Sequence, residues 1–226
     1  PYSKGLHRVN WNLRNSMDLP INKGAKLPQE ARGFRVPEGT YNARLVKVFE
    51  GVATRMGDKI EFGVKDLYQG ALPEASEAEK TAYYDAYMDA NKRRTLLTDK
   101  LNDLTKVTQS LEVATLKLDT DYGSMLQDIA KIKKSLYDLG IELKGNPAKN
   151  AVGEKTKPTL NNRLSAAGAP LWGSNYGPTE TAKQNLKIAE NMLAQYETEL
   201  AALDVEVAAI ESRVKELGGV LIRGRD

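Results

Sequence analysis

His7 is the only histidine in the chain, and there is no cysteine. A histidine-based metal site needs a second His or a Cys, and acid–base work needs a partner that orients the ring. The sequence places neither, so a structural role for His7 is the simpler reading. The absence of cysteine excludes disulfides, thiolate nucleophiles and cysteine zinc sites. Asp119-Thr120-Asp121 has the spacing of a carboxylate cation site. It falls, however, where one helix must end and the next be capped, and an Asp at an N-cap accepting backbone amides accounts for it. Lys92-Arg93-Arg94 is a short basic run with two members on a solvated face. That is too little for nucleic acid, which needs clustered cations and stacking aromatics. Tyr83, Tyr84 and Tyr87 could offer ring faces to a sugar, but their spacing is also that of helix-start residues packed against a preceding β region. No glycine-rich phosphate loop, Ser/His/Asp set or HExxH occurs, so no catalytic residue, metal ligand or cofactor is assigned. The candidates for contact with a partner or glycan are Asn161, Asn162, Trp172 and Tyr176. A Trp in an irregular Gly-rich segment either plugs the end of a helical bundle or faces a partner.

Two regions must position these side chains. Residues 1–70 carry twelve Lys/Arg against seven Asp/Glu, leaving 21 and 23 of the chain's 33 and 30 for the rest. This mild basic bias and the net charge of +3 name no polyanionic partner. No apolar run approaches the ~20 residues needed to span a bilayer. The chain opens at Pro1 with no basic n-region and no apolar h-region, so no export signal is visible.

In residues 1–70, Val9, Trp11 and Leu13 alternate with polar neighbours, the period of a half-buried strand. A polar stretch from Arg14 to Pro37 follows. Pro37-Glu38-Gly39 then turns the chain into a strand over Thr40–Val48, with Tyr41, Ala43 and Leu45 on one face. A turn near Gly57-Asp58 leads to a third strand over Lys59–Leu67 carrying Ile60, Phe62 and Val64. Three strands are too few for a sandwich, which usually needs about seven. The expectation is a partial β-sandwich lacking upstream strands, with Pro1 inside a domain and Trp11, Tyr41 and Phe62 in its core. Its open edge should favour dimerisation or strand swapping.

Residues 71–226 read as long helices. Ser76-Glu77-Ala78-Glu79 is a capping box. It opens a seam at Tyr83, Tyr87, Ala90, Arg94, Leu97, Leu101, Leu104, Thr108, Leu111, Thr115 and Leu118, in alternating steps of four and three. Met125, Ile129, Ile132, Leu136, Leu139 and Leu143 continue the period until Gly145-Asn146-Pro147 stops it. Residues 145–157 read as an exposed loop. A short helix with Pro158 in its first turn carries Leu160, Leu164 and Ala167, and residues 168–177 read as an irregular crossover. The last helix follows Pro178 with a seam at Ala182, Leu186, Ala189, Leu193, Tyr196, Leu200, Leu203, Val207, Ile210, Val214 and Leu217, and Gly218-Gly219 ends it. Two helices of about 40 residues, each roughly 60 Å long, cannot bury such seams alone. The predicted architecture is α+β, with the β segment followed by an antiparallel bundle of three long helices and one short one.

Several segments together resemble a known family. Leu6-His7-Arg8-Val9-Asn10-Trp11-Asn12-Leu13-Arg14 is similar to the G-x-N-x-x-x-W-D-L-R strand in the C-terminal region of bacterial BNR-repeat, sortilin-like glycosyl hydrolase proteins. Val36-Pro37-Glu38-Gly39-Thr40-Tyr41-Asn42-Ala43-Arg44-Leu45 resembles their P-G-T-Y-T-V-R-L strand. Lys157-Pro158-Thr159-Leu160-Asn161-Asn162-Arg163-Leu164 resembles their P-P-K-L-N-N-Q-L segment, and Gly177-Pro178-Thr179 the P-T that opens their last helix. The resemblance implies an immunoglobulin-like segment and helical tail behind Asp-box β-propellers, in a secreted or cell-envelope protein. Any sugar-cleaving residue would lie in the propeller, and the Asp-box pattern is absent here. The resulting expectation is a non-catalytic accessory or spacer region whose partner is an upstream propeller of the same polypeptide. The competing expectation is a self-contained helical scaffold that binds another protein or self-associates. A glycan-binding module would need exposed aromatics at Trp172, Tyr176 or Tyr83.

Overall fold

The computed structural model describes residues 5–16, 20–21, 33–67, 70–119, 122–174 and 176–220. Two strands, β1 (Gly39–Phe49) and β2 (Val52–Val64), precede five helices: α1 (Glu77–Leu116), α2 (Gly123–Lys144), α3 (Pro147–Ala151), α4 (Leu160–Gly173) and α5 (Glu180–Glu216).

The helical seams are formed as the spacing predicts. Every predicted seam position of α2 and α4 is buried, as is every one of α5 except Leu217, which lies beyond the helix end and is half exposed. Along α1 only Arg94 stays partly exposed, because its guanidinium turns out to the Thr95 hydroxyl. Side-chain caps mark three starts. Ser76 Oγ accepts from Glu79 N at 3.2 Å and Thr179 Oγ1 from Ala182 N at 3.2 Å, while Thr159 and Asn162 form a reciprocal box. Each cap satisfies amides that the first helical turn leaves without partners.

The helices form three columns, one of them split. α1 (40 residues) and α5 (37 residues) are the unbroken columns, and α2 (22 residues) followed by α4 (14 residues) spans nearly the same length beside both. Successive columns are antiparallel, so α1 and α5 run parallel. Cross-pairs show this directly: Glu79–Lys183 at 2.6 Å, Arg93–Glu197 at 2.8 Å and Lys100–Asp204 at 2.9 Å keep one constant offset along both helices. Their rungs fall at heptad intervals, the flanking positions of a parallel coiled-coil seam.

Three local expectations about the helical region are corrected. The N-cap of α2 is Tyr122, with no side-chain bond, so Asp119 does not cap it; Asp121 lies outside the described residues. The loop at 145–157 contains α3, capped by Asn146 Oδ1 accepting from Ala148 N. The chain from Gly168 to Gly173 is the second half of α4 rather than an irregular crossover. Gly168 is there for proximity. A Cβ at that position would run into Tyr87 Oη, so α4 lies against α1 only because the side chain is absent.

The β region departs from expectation more deeply. There is no immunoglobulin-like sandwich: the described residues hold one open two-stranded antiparallel sheet, β1–β2. Val9, Trp11 and Leu13 form no strand. Asn12 Oδ1 accepts from Arg14 N at 3.1 Å and Leu13 sits at φ 56°, a left-handed turn that breaks the alternation. The sharp reversal lies at Glu50-Gly51, with φ of 47° and 78°, the signs of a two-residue type I′ turn. Gly57-Asp58, the predicted turn, is instead a bulge inside β2, where the register shifts opposite Ala43/Leu45. Trp11, Tyr41 and Phe62 do cluster, with Trp11 5.4 Å from Tyr41 and 5.9 Å from Phe62, but at the surface rather than in a core.

Candidate interaction surface

The four sequence-selected candidates are not brought together. Asn161 and Asn162 open α4 and Trp172 closes it, eleven residues or roughly 16 Å further along the axis. Asn162 is occupied in the capping box: its Oδ1 accepts from Thr159 N at 3.0 Å and its own N donates to Thr159 Oγ1 at 3.2 Å. Trp172 is 49 % exposed, yet one side of its ring rests on Phe34 at 4.5 Å and Arg14 lies 6.0 Å from its centroid. Tyr176 is 38 % exposed, and its carbonyl accepts from Ala75 N at 2.8 Å, tying the segment before α1 to the segment before α5.

Sequence reasoning did not single out Phe34, which is 4 % exposed. It is inserted by a short ladder in which Asn15 N donates to Phe34 O and Val36 N to Leu13 O, each at 2.9 Å. Its ring meets Tyr84 at 4.8 Å, Tyr87 at 5.8 Å and Trp172, closing one end of the bundle. Tyr83 and Tyr87 are thereby core residues. Tyr83 Oη donates to Ala167 O at 2.9 Å, and burial, with Tyr87 and Glu190 nearby, pushes its pKa up to about 12. The basic run is likewise structural at Arg93, whose two bonds to Glu197 (2.9 and 2.8 Å) bridge α1 and α5.

The described surface offers little concavity. Two open depressions of about 260 and 230 Å³ lie along α1 and in the α1–α5 groove. Ligand sites are typically 300–1,000 Å³ and enclosed. Among the described residues no cluster of three or more His/Cys/Asp/Glu could hold a metal ion, and no helix is long and apolar enough to cross a membrane.

The outlier is the hairpin. Cross-strand partners share a face, and the pairs Tyr41–Phe62, Ala43–Ile60, Leu45–Met56, Lys47–Thr54 and Phe49–Val52 place nearly all its large apolar residues on one side. The opposite side carries Thr40, Asn42, Glu61 and Arg55, with Val46 and Val48. No Cα of either strand lies within 8 Å of a helical Cα; only the Tyr41 end faces a helix, where burial and then Glu77 at the start of α1 raise the Tyr41 pKa. Trp11 covers only the Tyr41–Phe62 end, leaving Leu45 at 65 %, Phe49 at 62 %, Val52 at 66 % and Ile60 at 71 % exposure. Lys47 extends over the Phe49 ring at 5.5 Å, the one charge on this face among the paired residues. Comparison with protein-family models, curated proteins and solved structures found no match to this chain. The expected spacer beside a propeller is corrected by the architecture: the described fold is a helical bundle closing its own core, with neither propeller nor immunoglobulin-like features.

Proposed function

We propose that this chain is a helical scaffold module for protein–protein contact, with the bundle as rigid support and the hairpin as the contacting element. The observation that carries this reading is the contrast in burial. The seams of α1, α2, α4 and α5 are satisfied within one chain, whereas among the described residues the apolar hairpin face has no cover beyond Trp11. Exposed apolar patches larger than a few hundred Å² mark interaction sites on soluble proteins. The support rests on the buried seams, with three ion pairs lacing the parallel α1–α5 pair along residues 79–100 of α1.

The test is site-specific photo-crosslinking in the source cell. A photoreactive residue replaces Leu45 on the hairpin or Lys134 on the solvent side of α2. Protein adducts from position 45 and none from position 134 support the reading. Adducts from position 134 alone, or none from either, overturn it.

A further inference from the structure

The contact surface has a specific occupant. We infer that a second copy of this chain covers the apolar hairpin face, the two sheets stacking across a two-fold axis; this rests on the scaffold reading above and names its partner. A two-stranded hairpin on its own is marginal in water and needs a further layer over its apolar side. Among the described residues that layer is Trp11 alone, leaving Leu45, Phe49, Val52, Met56 and Ile60 uncovered.

The uncovered area fits a dimer. With Trp11 and Phe62, these side chains present on the order of 700 Å² per copy, taking roughly 200 Å² for a large side chain. Stable interfaces bury about 800 Å² per partner. Flat sheet faces pack about 10 Å apart with interdigitating side chains, a geometry that a two-fold axis provides to both copies at once. The face holds no carboxylate among its paired residues, and its one cation already lies on Phe49, so no charge pattern selects a different partner. Pairing through the edges is disfavoured. Lys47, Arg55 and Lys59 and the bulge at Gly57-Asp58 break up the strand borders, the usual guards against edge association. The opposite face, polar apart from Val46 and Val48, stays in water, so association closes at two copies.

Sedimentation velocity on the full chain, from sub-micromolar to high-micromolar concentration, tests this. The wild type should sediment as a dimer at the upper end. Ile60→Glu should weaken the dimer by about thirtyfold or more, the loss of a central interface anchor. Val48→Glu, on the opposite face, should change it by less than about threefold. Because the hairpin backbone packs against no helix, far-ultraviolet circular dichroism should show unchanged helix in both variants. A wild type that is monomeric throughout, or a dimer that Ile60→Glu and Val48→Glu affect equally, overturns the inference. Monomeric protein together with crosslinks from position 45 to a different protein sinks the second copy and leaves the scaffold reading standing. A monomer with no such crosslinks sinks both.

Discussion

Leu193 on α5 and Ile60 on β2 are both large aliphatic residues on the apolar side of a regular element, yet one is 0 % exposed and the other 71 %. The bundle and the hairpin differ in how many neighbours the chain supplies. α5 is flanked by α1 and by the split α2/α4 column, so each seam residue is enclosed. The hairpin has one partner strand per strand and a single Trp over one end. Amphipathic pattern is thus the same signal in both regions. It reports which side wants cover and is silent on whether the cover lies in the same chain.

The sharpest way to break this contrast is to cut matching side chains from each region. Leu193→Ala should lower the stability of the helical signal in urea by about 3–5 kcal/mol, the cost of a cavity in a closed core. Ile60→Ala should move the same midpoint by less than about 0.5 kcal/mol, because no helix rests on it. Equal losses would mean that the hairpin and bundle unfold as one unit.

A smaller effect is expected where α4 meets α1. Gly168→Ala forces a methyl into the Tyr87 hydroxyl and should cost about 1–3 kcal/mol through overpacking. A neutral result would show that α4 can slide away from α1, and that the split column is looser than the unbroken ones.

Alkaline pH should act on the bundle through two buried tyrosines. Tyr83 and Tyr196 are both pushed up to about 12, Tyr83 chiefly by burial, and Tyr196 by burial and then by Glu142, whose carboxylate accepts its hydrogen bond at 3.2 Å. Their folded forms hold the proton more tightly than the unfolded chain, which releases it near pH 10. Stability from these groups is therefore complete below about pH 10 and is lost as pH rises toward about 12. Melting temperature against pH should fall over that interval, and the double variant Tyr83→Phe/Tyr196→Phe should flatten the fall.

The ion-pair ladder should contribute least to the bundle. Arg93→Ala should cost about 0.5–1 kcal/mol, because both partners are partly solvated. Added salt should shrink that difference. On the hairpin side, Glu50→Asn should stabilise the turn by a few tenths of a kcal/mol, since Asn tolerates the left-handed conformation that Glu50 adopts. Slower hydrogen exchange at the β1 and β2 amides, with no change in α5, would register it.

Much of the bundle was legible before any coordinates. The four-three steps match the buried residues of α2, α4 and α5 nearly one for one, Ser76 sits at the helix start that the sequence marks, and α5 begins two residues beyond the start expected at Pro178. The parallel register of α1 and α5 was legible in principle but overlooked. Glu190, Glu197, Asp204 and Glu211 recur every seven residues, and Arg93 and Lys100 answer two of them across the seam. Opposite Glu211 the same offset reaches Val107, and Glu211 instead pairs with Lys215 on its own helix at 2.9 Å. Trp172 lies in the second half of α4, although Gly168 and Pro170 beside it disfavour helix on local propensity. Packing of Gly168 against Tyr87 overrides that propensity. Glu50-Gly51 was passed over as the turn because Glu is an unusual residue at positive φ, and Gly57-Asp58 carried the stronger local signal.

The sequence by itself determined which residues seek cover, how long the helices run and where most of them start, because period, capping and steric preference act within a few residues. Only the tertiary structure decided that Phe34 closes the bundle, that α2 and α4 share a column, and that the hairpin face is left open. Those outcomes depend on which distant segments meet, and the free energy of burial is the same whichever apolar surface supplies it.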